Sequence, residues 1–157
     1  MGEFIIYKSS AGSGKTFTLI RTFLTFALRD SPGSQFKRVL ALTFTTKAAT
    51  EMRERLLYEL HKIKTIGVEE GLKDAFITQL LESLSIGFEE LRKRSNTMFH
   101  AVLQDYGDLS IGTIDQFNHR LIRAFSRDLA LSGDWAVETK DEKYFLEAIQ
   151  RVIGQVG

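Results

Sequence analysis

The chain has 157 residues, 43% of them hydrophobic and 26% charged, the balance of one well-buried globular domain. It carries no cysteine, which excludes disulfides, thiol catalysis and cysteine-ligated zinc, and its three histidines (His61, His100, His119) fall at no metal-ligand spacing. The net charge of +1 argues against a nucleic-acid coat protein but conceals a gradient: nine Lys/Arg stand against five Asp/Glu over residues 1–60, and three against six over 61–90. No apolar run approaches a membrane span and no basic-then-apolar leader opens the chain, so the expected compartment is the cytoplasm, with no membrane partner.

Phe4-Ile5-Ile6-Tyr7 is β-branched and aromatic and reads as a buried strand. Ser9-Ser10-Ala11-Gly12-Ser13-Gly14-Lys15-Thr16 follows, and then Phe17, Leu19, Ile20, Phe23, Leu24 and Ala27 recur at helical spacing to about Leu28. Strand, small-residue loop and helix in that order make a phosphate cradle. The loop lets backbone N–H groups wrap an anion, and the helix start adds partial positive charge. Lys15 is placed to reach β- and γ-phosphates, and the Thr16 hydroxyl to ligate Mg²⁺. Ser9 stands where the usual G-x-x-x-x-G-K-[ST] pattern has its first glycine.

Asp30-Ser31-Pro32-Gly33-Ser34 breaks the helix with the only proline. Lys37 to Phe44 then predicts a second strand, apolar enough for a parallel sheet covered on both faces and closing a right-handed βαβ unit. Thr45 or Thr46 can cap the next helix, whose buried face is Ala48, Ala49, Met52, Leu56, Leu57, Leu60 and Ile63, with Gly67 ending it. Residues 68–108 read as helical throughout, with Leu72, Phe76 and Leu80 on one apolar face and Phe88, Leu91, Met98 and Val102 on another. Arg92-Lys93-Arg94 reads as a solvated turn of that helix.

Leu109 to Ile114 alternates like a third strand. A helix from about Gln116 to Leu129 follows, burying Phe117, Leu121, Phe125 and Leu129 at i, i+4 spacing. Arg120, Arg123 and Arg127 lie on another face, read either as solvated surface or as contact with a nucleic-acid backbone. Thr139-Lys140-Asp141-Glu142 matches a capping box and opens a last helix, buried through Tyr144, Phe145, Ala148, Ile149, Val152 and Ile153.

Three of these segments carry a resemblance. Ser10 to Thr16 resembles motif I of the UvrD/RecB-like superfamily-1 DNA helicases, with a following Phe17-Thr18 pair typical of the RecB/AddA branch. Val39-Leu40-Ala41-Leu42-Thr43-Phe44-Thr45-Thr46-Lys47-Ala48-Ala49-Thr50-Glu51-Met52 resembles motif Ia, and Ile111-Gly112-Thr113-Ile114-Asp115-Gln116-Phe117 resembles motif Ib. Thr46 replaces the family's Asn, and Asp115-Gln116 its His-Ser.

The resemblance implies an α/β fold, a P-loop NTPase (RecA-like) parallel sheet flanked by helices. Residues 1–130 would be the N-terminal part of helicase domain 1A, with a helical insertion over about 66–108, and residues 131–157 the start of an inserted helical subdomain. It further implies ATP and Mg²⁺ as cofactors, held by Ser10, Ala11, Gly12, Ser13, Gly14, Lys15, Thr16 and Phe17, with Lys15 and Thr16 catalytic and Thr16 on the metal. Single-stranded DNA would be the partner of Phe44, Thr45, Lys47, Thr113 and Phe117, and a second subunit of a helicase–nuclease complex is a further possible partner.

No apolar strand ending in Asp-Glu occurs in the chain, which sets the expectation of an N-terminal portion of a longer repair or recombination helicase, inactive alone. The other reading is a small P-loop kinase, with Asp115 polarising Mg²⁺ and Arg120, Arg123 and Arg127 on phosphates.

Overall fold

The computed structural model describes residues 14–30, 33–126 and 142–154. The expected first strand, Phe4 to Tyr7, and the loop residues Ser10, Ala11, Gly12 and Ser13 lie outside them. By its internal contacts the chain divides into two units, residues 1–118 and 119–157.

The first unit opens with α1 (Lys15–Leu28), whose Ile20, Leu24 and Leu28 are fully buried, as their spacing predicts. The expected strand over Lys37 to Phe44 is shorter than the sequence suggests. Gln35–Arg38 is a 3₁₀ turn that drives Phe36 entirely into the core, and the Val39 N–H donates back to the Phe36 carbonyl, so β1 is only Ala41–Thr43. The apolar run is not covered on both faces among the described residues: Leu40 and Leu42 stay 45% and 38% exposed.

Thr45, not Thr46, caps α2 (Thr46–Thr65), its Oγ1 accepting from the Ala48 N–H at 3.2 Å. The stretch expected to be one helical region is three helices: α3 (Val68–Gly71), α4 (Ala75–Leu84) and α5 (Phe88–Gln104). Asp74 caps α4 by accepting from the Phe76 and Ile77 N–H groups at 3.0 and 3.1 Å, and Ser85 in left-handed conformation (φ 53°) stops it. Leu72 ends α3 half-exposed rather than joining the core. At Gly71 an added Cβ would stand 2.3 Å from the Phe88 ring, so only glycine lets α3 and α5 approach. The α2 and α5 helices pack along each other, and α4 packs on α1.

Arg92 and Arg94 are not a solvated turn. Arg94 Nη1 donates to the Leu28 and Arg29 carbonyls at 2.8 and 2.7 Å, and Arg92 Nη2 to the Ile66 carbonyl at 2.7 Å. The carbonyls ending α1 and α2 have no partner within their own helices, and a distant guanidinium supplies it.

A short 3₁₀ turn (Tyr106–Asp108) leads to β2 (Ile111–Thr113), parallel to β1 in the register Ala41 to Ile111, Leu42 to Gly112 and Thr43 to Thr113. Arg53 of α2 donates to the Ile111 carbonyl, tying helix to strand. The next helix, α6 (Ile114–Ala124), begins two residues earlier than expected. Its predicted buried face is not buried among the described residues: Phe117 is partly covered, and Leu121 and Phe125 are 40% and 53% exposed. Arg127 and Leu129 lie outside them.

In the second unit, α7 (Glu142–Gly154) forms where the pattern places it, but Phe145, Ile149, Val152 and Ile153 are exposed rather than core. Thr139, Lys140 and Asp141 of the expected capping box lie outside the described residues. No helix among them is long and apolar enough to cross a membrane.

Between α2 and α4 sits a charged cluster. Glu59 is fully buried, with Arg55 Nη2 2.7 Å from Oε1 and Lys62 Nζ 3.8 Å from Oε2. Burial pushes the Glu59 carboxyl above its ordinary range, and Lys62 and Arg55 offset this only in part. Lys62 also pairs with Asp74. Partial burial pulls the Asp74 carboxyl upward, yet the Lys62 hydrogen bond and the Ile77 and Phe76 N–H groups outweigh it and hold it below the usual value. The stabilisation from Asp74 is therefore complete above its unfolded value of 3.8 and fades as pH falls through the lower folded value. Asp74→Ala is expected to lose about 1–2 kcal/mol at pH 7, as a lost cap does. Urea unfolding at pH 7 and at stepwise lower pH checks this, and the gap to wild type should narrow in acid.

Candidate functional site

Gly14 caps α1 with φ 78°, ψ 22°, a left-handed conformation that a side chain would strain, and its carbonyl accepts from the Thr18 N–H at 2.9 Å. Lys15 and Thr16 are the first helical residues and both are exposed. The first turn holds no acid. A helix start of this kind leaves backbone N–H groups and a positive dipole end facing outward beside an ammonium and a hydroxyl. That donor set fits phosphate, and the Thr16 oxygen is the hard ligand Mg²⁺ takes. Phe17 points the other way. Its ring meets Phe76 of α4 edge-on, with centroids 5.1 Å apart and planes at 86°.

The second cluster forms at the carboxyl end of the parallel pair, where ligands gather in open α/β sheets. Thr43 Oγ1 donates to the Thr45 carbonyl at 3.0 Å and lies 3.4 Å from the Gly112 carbonyl, folding the chain sharply as it leaves β1. That turn throws Phe44 outward. It is 88% exposed, so this strand-end aromatic is not core. Thr45 is exposed but its hydroxyl accepts within the α2 cap. The Lys47 side chain is 87% exposed, with Glu51 4.0 Å away on the next turn, too solvated a pair to neutralise it.

The register sets Thr113 beside Thr43, so the motif Ia-like and Ib-like segments meet at one sheet end. Thr113 itself is buried, 5% exposed. Its Oγ1 accepts from the Gln116 N–H at 3.2 Å, while Gln116 Oε1 accepts from the Thr113 N–H at 3.0 Å. This is a reciprocal capping box, and the Thr-x-x-Gln spacing already carried its signal in the sequence. Gln116, standing where the resembling family has Ser, thus closes the start of α6. At Gly112 a Cβ would stand 2.9 Å from Gln116 Oε1, so a larger residue would require the Gln116 side chain to shift. Phe117 is partly covered, and Asp115 is exposed within the first turn of α6, not at a strand end. No group of three or more His, Cys, Asp or Glu side chains is placed to hold a metal ion among the described residues.

Curated relatives include ATP-dependent helicase/nuclease subunits of Streptococcus pyogenes serotypes M12 and M28, each 29% identical over 136 residues. The serotype M5 protein of the same name is 28% identical over the same length. The match takes in 87% of this chain but 9% of those proteins, so the chain spans about a tenth of the length of the relatives it matches. No solved structure matches it. A family model described as the UvrD/REP helicase N-terminal domain matches residues 2–156, nearly the whole chain, and the chain therefore belongs to that family.

Proposed function

We propose that the chain is the nucleotide-binding portion of an ATP-dependent DNA helicase acting in repair or recombination. The observation that carries this is the start of α1: a left-handed Gly14 followed by exposed Lys15 and Thr16, with no acid in the first turn. Ser10, Ala11, Gly12, Ser13 and Gly14 are the residues we assign to the phosphates through their backbone N–H groups, and Phe17 packs inward beside Lys15 and Thr16. Lys15 pairs with the β/γ charge and Thr16 holds Mg²⁺, which when bound neutralises charge on the transferred phosphoryl group. The sheet is of the RecA-like P-loop type, residues 1–130 belong to domain 1A, and 131–157 begin an inserted helical subdomain.

Single-stranded DNA is the polymer bound. Phe44 offers a stacking face and Lys47 a phosphate contact. The Thr45 hydroxyl, committed to the α2 cap, contributes through its backbone turn, and Thr113 and Phe117 support the start of α6 on the same side. The relatives' name makes them subunits of a helicase/nuclease, and a second subunit is the partner we assign. On this reading turnover by this chain alone is negligible, because its sequence holds no apolar strand followed by the Asp-Glu pair that would position the attacking water.

Two measurements test this. Calorimetry with Mg·ATP should show weak binding that Lys15→Ala abolishes, and equal affinity in the variant would refute the phosphate assignment. Anisotropy with a labelled oligonucleotide should show weak binding that declines as salt rises. Lys47→Ala should reduce the salt slope by up to about one. Phe44→Ala should weaken binding with little change in slope, while altering folding stability by no more than about 0.5 kcal/mol, as for an exposed residue.

A further inference from the structure

We infer that Phe76, supplied by the inserted helices, is a positioning residue for the nucleotide site: it braces Phe17 and so fixes the first turn of α1. The inference rests on the phosphate-binding reading of Lys15 and Thr16. Phe17 follows those two residues directly, on the inward side of the same turn, and packs against the core. The ring it meets belongs to Phe76, 4% exposed at the second position of α4, in the edge-on geometry aromatic pairs prefer.

Phe76 is itself held from both directions. Its N–H donates to Asp74 Oδ1 at 3.0 Å, and Asp74 is anchored to α2 through Lys62. One turn further along both helices, Arg21 of α1 donates to Gln79 of α4, which fixes the rotation of one helix against the other. The described part of the phosphate loop contributes a left-handed glycine at Gly14 and one hydrogen bond, from the Thr18 N–H to the Gly14 carbonyl. Neither fixes where Lys15 and Thr16 point. The Phe17–Phe76 contact does, because a helix turn with one side chain locked in a packed core cannot rotate or fray.

The test compares Phe76→Ala and Phe76→Leu with Leu60→Ala, which empties a fully buried site of α2 as a control for general loss of packing. Phe76→Ala is expected to weaken Mg·ATP binding by about three- to tenfold, the scale of one aromatic pair. Phe76→Leu should recover most of that, and Leu60→Ala should lower the melting temperature comparably while leaving affinity unchanged. Amide hydrogen exchange read at Thr18 without nucleotide should be faster in Phe76→Ala alone. Unchanged affinity and unchanged Thr18 exchange in Phe76→Ala overturn the inference, as does an equal affinity loss in Leu60→Ala. A wild-type chain that binds no Mg·ATP refutes the phosphate reading instead, and with it the claim of a role in binding. Thr18 exchange then still decides whether Phe76 braces the turn.

Discussion

Ile20, Leu24 and Leu28 recur every four residues along α1, and none of them touches solvent. Burying side chains of this size contributes about 1.5–3 kcal/mol each, and here α4, α5, α2 and the 3₁₀ turn at Phe36 do the covering. The constraint reaches the site directly. Gly14, Lys15 and Thr16 open this helix, so where their exposed groups lie follows from how α1 seats against α4, α5, α2 and the 3₁₀ turn. The helices of residues 68–104, which lie between β1 and β2 in the chain, therefore help to place the start of α1.

Packing alone leaves helix ends unsatisfied, and this chain closes them over long sequence distances. Arg94 caps α1 from 65 and 66 residues away, Arg92 caps α2, and Asp74 caps α4 while holding Lys62. Each of these guanidinium or carboxylate groups does two jobs, neutralising a neighbour and filling a backbone valence. Around the buried Glu59, Arg55 and Lys62 offset the burial only in part, and Lys62 is in turn held by Asp74.

The contrast between the two segments at the sheet end is also physical. At the end of β1 the chain turns so that Phe44 and Lys47 face water, while the end of β2 folds into its own helix cap. One segment presents exposed side chains and the other is closed on its own cap. Both segments lie within the residues matched by the UvrD/REP helicase N-terminal domain model.

The sequence by itself determined the local elements with strong signals. The helical spacing of α1, α2 and α5, a threonine cap at Thr45 or Thr46, the presence of strands within 37–44 and 109–114, and the resemblance carried by Ser10 to Thr16, Val39 to Met52 and Ile111 to Phe117 were all legible, because periodicity, capping chemistry and motif order act over a few residues. Only tertiary structure decided the rest. Nothing local reveals that Arg92 and Arg94 would leave solvent for carbonyls of two other helices, or that Phe36 would pull its run into a 3₁₀ turn and shorten β1. The same is true of Leu121, Phe125 and the apolar face of α7, whose spacing promises burial that the described residues do not provide. Amphipathic spacing records which face is apolar, while burial depends on what packs against that face, and that is a property of the assembled chain.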